Sequence, residues 1–344
     1  ANLPFALSAG MGLNAFMAYT VVAGYGYSWQ VALLAVFIEG LIFIVLSLTN
    51  IREAIFNAIP LTLKKGVSVG IGLFIAFIGL QNSGLCVDSA TLVGIISFPE
   101  NFHTAGICAL LTLIGLFFTA VFYTRKMKGA ILYGILLTWI LGMLCQVTGL
   151  YVPTPDAGFY SLFPSWGMTD FSRLGLTFGQ CFNVDFSAVG IVNFIVVIFS
   201  FLFVDIFDTL GTLIGVATKA KMLDKDGKLP GIKPALLADS IATSAGAILG
   251  TSTTTTFVES ASGVAVGGRT GLTALVTGIL FLVSTLFAPI FTAIPSFATA
   301  PALIMVGFLM VGTVTEINFD LDNLPESIPA YLAIIAMPLF YSIS

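Results

Sequence analysis

The chain has 344 residues, 58% of them hydrophobic and only 9% charged, against about 25% charged in an ordinary soluble domain. A net charge of −4 implies no nucleic-acid partner. The four cysteines (Cys86, Cys108, Cys145, Cys181) lack CxxC spacing and there is one histidine, His103, so no metal, cofactor or disulfide framework is expected.

Taken in chain order, apolar segments are expected near 8–23, 31–49, 66–80, 104–123, 130–150, 187–209, 235–250, 258–268, 271–288, 299–313 and 328–343. About 11 segments of this kind, mostly near the length a bilayer requires, describe an all-α polytopic membrane protein. Two are too short to cross as full helices. The first residue is Ala, and the chain opens on a motif and stops on an apolar run. The expectation is a piece of a longer protein, with no signal peptide in view.

The bases set an expected orientation. Arg52, Lys64 and Lys65 fall in one loop, Arg125, Lys126 and Lys128 in a second, and Lys219, Lys221, Lys225, Lys228 and Lys233 in a third, with Arg269 at the end of a short segment. Counting crossings, these share one side, and only Arg173 takes the other. The positive-inside rule makes the first side cytoplasmic. The loop 314–327 is cytoplasmic by parity but carries only acids, Glu316, Asp320, Asp322 and Glu326.

Residues 55–60 read IFNAIP and 290–295 read IFTAIP. An odd number of spans separates them, so the copies face opposite sides, as in an inverted-topology repeat. Chance similarity of common residues is the plainer alternative, and the matching flanks favour the repeat. The domain division that follows is 1–150 as the first repeat, 151–186 as an outward linker and 187–344 as the second repeat.

Each IFxAIP is preceded, one span earlier, by an extended-looking run that leads into small residues. In the first half it is PFALSAGMGLNAF, residues 4–16, and in the second it is GTSTTTTFVESASGVAV, residues 250–266. The β-branched Thr253–Thr256 favour extended backbone. Non-helical backbone at membrane depth is tolerated only when buried in protein or lining a cavity. Two such segments can solve the problem by pairing with each other, each followed by a half-helix. Paired interruptions of this kind point to a transporter binding site.

The candidate binding residues lie there. Glu259 falls at the start of the second half-helix, and an ionisable residue inside a bilayer is a functional hypothesis by default. A helix-capping acid near the interface is its bland alternative. Ser8 and Asn14 occupy the comparable places in the first copy, and interhelical hydrogen bonding is the plain role for Asn14. In FVDIFDTLGTLIG, Asp205 and Asp208 are three apart on one helix face, and one of two such acids can be tuned to carry a proton. A helix-end acid pair at the cytoplasmic surface is the alternative. Asp239, beside Ser240, Thr243 and Ser244, reads equally well as a structural polar network. Glu39 interrupts the span 31–49 and faces either the bundle interior or a subunit contact.

These stretches, together with LLADSIATSAGAILGTSTTTTFVESASGVAVGGRTGLTA and AIPSFATAPALIMVGFLM, resemble the nucleobase:cation symporter-2 family, in particular its azaguanine-like purine permeases. The resemblance covers nearly the whole chain. It implies a fourteen-span fold of two inverted seven-span repeats, of which this chain holds spans three to thirteen, with two short intramembrane strands preceding half-helices. It further implies proton-driven import of a purine nucleobase (guanine, hypoxanthine or adenine) across the cytoplasmic membrane. On that resemblance Asp208, Glu259 and Asn14 hold the base, with Ser8, Asp205 and Asp239 less firmly carried over. Asp205, Asp208, Glu259 and Asp239 are the proton-coupling candidates. A same-fold carrier of uracil, xanthine or an anion, and a non-transporting receptor, stay open as alternatives, as does a homodimer. No enzymatic motif is visible.

Overall fold

A computed structural model describes residues 1–10, 13–14, 16–90, 92–185, 189–319 and 323–340. Asp320 and Asp322 of the acidic loop lie outside the described residues. In chain order the principal elements are β1 (Leu7–Ala9), α1 (Phe16–Gly24, a wide π-type helix), α2 (Trp29–Leu48), α3 (Ile51–Ala58), α4 (Leu61–Asn82), β2 (Cys86–Ser89) and β3 (Leu92–Ile95). They continue with α5 (Phe98–Thr124), α6 (Ala130–Val147), α7 (Ile191–Lys219) and α8 (Ile232–Leu249). Then come β4 (Thr254–Thr256), α9 (Ser260–Ala265), α10 (Gly271–Leu286), α11 (Ala288–Phe291), α12 (Ser296–Val311) and α13 (Leu324–Phe340).

Seven helical stretches among the described residues are long and apolar enough to cross a membrane. At 1.5 Å per residue the 20-residue α2 is about 30 Å long, the thickness of the hydrocarbon layer. Helices are the natural state of such runs, because lipid offers no partner for a free peptide group. Ser28 caps α2 by accepting from the Val31 N–H.

Two expected segments break as their sequence suggested. The stretch 8–23 begins as a strand, is helical at Leu13 and Asn14 and continues in the π-type α1 from Phe16, and 258–268 contains just the six-residue α9. The expected 187–209 instead runs to Lys219. Asp205 and Asp208 therefore lie in the middle third of α7, which removes the helix-end reading of that pair.

The chain packs as two compact units, each drawn from both halves of the sequence. One comprises residues 1–71, 170–278 and 313–344, and the other 72–169 and 279–312. In the first, α2 packs on α7 and α8 around Val31, Ala35, Val36, Val197, Phe201 and Ala247. The approach of α2 to α8 is so close that a Cβ on Gly40 would collide with Ser244.

In the second unit α5, α6 and α12 enclose Ile107, Leu111, Trp139, Leu162 and Phe297. The Trp139 indole donates to the Leu162 carbonyl at 2.9 Å. Pro301 inside α12 has no N–H, which leaves the carbonyl four residues earlier, on Phe297, without its helical donor. The Thr112 hydroxyl of α5 supplies one at 2.9 Å. A polar residue thus repairs a proline-broken helix where water is not available.

The IFxAIP copies take similar local forms. The first ends α3 and turns at Pro60 into α4, and the second spans α11 and turns at Pro295 into α12.

Candidate functional site

The two threonine- and serine-bearing runs do pair. β1 and β4 run antiparallel, with Leu7 opposite Thr256, Ser8 opposite Thr255 and Ala9 opposite Thr254. Hydrogen bonds continue past the strands, from the Gly10 N–H to the Thr253 carbonyl (3.2 Å) and from the Phe257 N–H to the Ala6 carbonyl (2.9 Å). Each segment satisfies the backbone of the other, which is what permits extended chain at this depth. The Ser260 hydroxyl accepts from the Ala6 N–H at 3.0 Å and ties α9 to the opposite segment. The Thr243 hydroxyl of α8 donates to the Thr254 carbonyl at 2.6 Å and holds β4 from behind.

Six candidate residues, Ser8, Asn14, Asp205, Asp208, Asp239 and Glu259, all lie in the first unit, and the structure sorts them into two layers. Asp208 and Glu259 are half-buried and close enough for their charges to interact. A Cβ built on Gly10 would stand 2.9 Å from the Thr255 methyl and 3.4 Å from the Asp208 Oδ2. The absence of a side chain at Gly10 is thus what lets Asp208 approach the strand pair. Glu259 occupies the position before α9 but makes no capping hydrogen bond with its side chain, so the capping alternative does not hold. Its Oε2 is buried and has no partner among the described residues. Asn14 exposes its side chain and accepts from the Ser252 hydroxyl, linking the first-half segment to the residue just before the threonine run.

The second layer lies deeper. Asp205 and Asp239 are wholly buried. Thr209, one turn along α7 from Asp205, stands between them: its hydroxyl is 3.1 Å from Asp205 Oδ1, 3.4 Å from Asp239 Oδ2 and 2.6 Å from the Thr255 hydroxyl on β4. Asp205 and Asp208 share a helix, yet one joins this inner network and the other the outer face.

Asp239 is also ion-paired, its Oδ2 lying 3.2 Å from Arg52 Nη2. Sequence reasoning placed Arg52 in a cytoplasmic loop. The structure instead buries it completely, with hydrogen bonds to Ser240 and the Leu236 carbonyl and its guanidinium over the Phe43 ring at 4.1 Å. Lys64, another counted loop base, is also buried and donates to the Gly227 carbonyl at 2.6 Å. Glu39 takes the interior option: it is wholly buried, and its Oε2 accepts from the Thr253 hydroxyl at 2.8 Å. Sequence reasoning did not single out Arg52, Thr209, Thr253 or Thr255 as site residues. The signal for Thr209 was its place one turn after Asp205, and for Arg52 its position directly after an apolar span.

His103 lies in the second unit, where its Nδ1 is 3.2 Å from the Leu150 carbonyl. A cavity of about 440 Å³ in that unit is lined by Gln81, Asn82, Ser83, Tyr160 and Ser161 among others. It contains none of the six candidates, and the site rests on converging side chains rather than on that space.

The family model for xanthine/uracil permeases, described as "Permease family", matches residues 1–343. The chain is 48% identical over 345 residues to the guanine/hypoxanthine permease PbuG of Bacillus subtilis, covering 100% of this chain and 73% of that protein. It is 40% identical over 347 residues to the adenine permease AdeQ of Escherichia coli, covering 100% and 72%. Among solved structures, the transmembrane domain of a cyanobacterial bicarbonate transporter, BicA, superposes with a TM-score of 0.59 at 16% identity, over 98% of this chain and 83% of that one. That likeness is one of fold, the inverted-repeat architecture of a membrane transporter. The chain belongs to the xanthine/uracil permease family and is a multi-pass cell-membrane permease, not an enzyme.

Proposed function

We propose that the protein is a proton-coupled importer of purine nucleobases, and that Asp208, Glu259, Asn14 and Ser8 form the base-binding site. The observation that carries this reading is the Glu259 Oε2, a buried carboxylate oxygen without a partner among the described residues, at the start of α9 where Ser260 ties that helix to the opposite strand segment. An unmatched buried acceptor is costly, and ring N–H groups of a purine are the complementary donors. Guanine offers two adjacent donors on its six-membered ring, which suits a carboxylate. The Asn14 amide has both donors and an acceptor for a second edge. The names of PbuG and AdeQ point to the same substrate class.

Proton coupling follows from the same chemistry. A carboxylate that must be either protonated or matched by a donor can exchange one for the other, and Asp205, Asp208, Asp239 and Glu259 are the candidates. Repeats spanning 1–150 and 187–344, joined through 151–186, would then work by an elevator or rocking motion. The paired carboxylates argue against an anion as cargo, since an anion would meet like charge.

The test is uptake by Asp208→Ala and Glu259→Ala in cells without their own purine carriers. Each is expected to reach the membrane and to lose uptake of labelled hypoxanthine by about a hundredfold, on the scale of a buried charged contact. Normal transport by both variants would end the site assignment.

A further inference from the structure

Behind the strand pair the first unit buries three carboxylates, on Glu39, Asp205 and Asp239. Of the two buried bases among its described residues, Arg52 faces these acids, while Lys64 is held at the Gly227 carbonyl. Arg52 is committed to Asp239, at 3.2 Å. One guanidinium cancels one carboxylate, and two more negative charges would remain in a dry interior. Such charges are removed by protonation unless an ion or donor meets them. Among the described residues, no three acidic, histidine or cysteine side chains converge to hold a metal ion. A proton is then the neutralising species. Buried oxygens without partners occur on all three acids: Glu39 Oε1, Asp205 Oδ2 and Asp239 Oδ1.

Glu39 differs from the two aspartates in what it touches. The charged groups facing it are Asp205 from α7, Asp239 from α8 and Arg52 from α3, and its hydrogen-bond partner is Thr253. The Thr253 carbonyl accepts from the Gly10 N–H, and the neighbouring Ser252 hydroxyl donates to Asn14. Glu39 is therefore fixed to the point where the two segments framing the candidate site meet. A neutral carboxyl accepts from Thr253 at Oε2 and carries its proton on Oε1, with no net charge left to neutralise. An ionised one calls for further donors or for the guanidinium, and movement toward either pulls on Thr253.

We propose that Glu39 is a further proton-carrying residue of the transport cycle, and that its protonation is transmitted to the substrate site through the Thr253 hydroxyl. The inference rests on the proton-coupled reading above. The O–H bond at Oε1 forms when Glu39 takes a proton from solution and breaks when it returns one on the other side, with no change of oxidation state.

The test compares the full-length protein with Glu39→Gln and Glu39→Ala in proteoliposomes, measuring labelled hypoxanthine counterflow without a gradient and accumulation under an imposed proton gradient. Gln imitates the protonated acid and keeps an acceptor for Thr253. It is expected to retain counterflow while gradient-driven accumulation falls about tenfold or more and its pH dependence flattens. Ala is expected to lose both. A Glu39→Gln protein that accumulates hypoxanthine like the parent, with the parent's pH profile, overturns the proposal. A parent that shows counterflow but no response to the proton gradient overturns it together with the coupling. If the parent shows no purine counterflow, the purine reading fails, and infrared difference spectra across a pH series decide. A titrating carboxyl band lost in Glu39→Gln supports Glu39 as a proton carrier, and an unchanged spectrum overturns it.

Discussion

Arg52 and Asp239 show how a buried charge is made tolerable at the scale of single residues. The pair is closed at 3.2 Å, and Ser240 and the Leu236 carbonyl take further donors of the guanidinium. Removing one partner of such a pair strands the other and costs about 3–5 kcal/mol, whereas removing both together is far milder. Arg52→Met alone is expected to lower the melting temperature of the detergent-solubilised protein sharply, and Arg52→Met with Asp239→Leu to recover much of the loss. Equal melting of the single and double variants would show that the pair is not coupled. Thr209 is the other pivot. Its hydroxyl lies within hydrogen-bond distance of both carboxylates and of the Thr255 hydroxyl, so Thr209→Val should disturb Asp205 and Asp239 together while leaving the size of the side chain nearly unchanged. Glu259 stood out in the sequence as an ionisable residue in an apolar chain, and Asp208 as one of two acids three apart on one helix face in FVDIFDTLGTLIG. Arg52 was not legible, because a base after an apolar span reads as a loop anchor. Only the fold of α3 back toward α8 brings it to Asp239.

Between elements, the strand pair decides the geometry. The β-branched run Thr253–Thr256 announced extended backbone, and its partner had to come from the other half of the chain, 247 positions away in the pairing of Ser8 with Thr255. The repeat in the sequence made that pairing foreseeable. The exact ends of the helices were not, because apolar composition does not mark where α7 stops, and the expected end fell short of Lys219. Gly10→Ala places a methyl 2.9 Å from Thr255. Overpacking of this kind costs about 1–3 kcal/mol, here at the contact with Asp208. Uptake is expected to fall about tenfold or more with the protein still in the membrane, and undiminished uptake would mean that the close approach is not needed. In the second unit, Thr112→Val leaves the Phe297 carbonyl without a donor, a loss of about 1–3 kcal/mol. Thr112→Ser should keep the bond. A melting temperature unchanged in Thr112→Val would mean that Pro301 is accommodated in some other way.

Across the whole molecule, sequence repeats and compact units divide the chain differently. The repeats follow chain order, while each compact unit draws on both halves. Inverted repeats that exchange segments in this way give one unit both strand segments and all six candidate residues. Two of the four boundaries, 71/72 and 278/279, fall within α4 and α10, where the chain passes from one unit to the other without leaving a helix. Composition alone established a membrane protein, and the motifs established the family. Which residues meet was a question of pairing between distant segments, answered only by the fold.

The proposed site moves a purine base together with a proton. This is tested most directly by uptake of labelled hypoxanthine, guanine and adenine into cells stripped of their own purine carriers, with and without a protonophore. The expected result is uptake of at least one base, competed by only some of the others and collapsing when the proton gradient is removed. Uptake indifferent to the gradient would contradict the coupling. No uptake of any purine, with the protein confirmed in the membrane, would contradict the substrate.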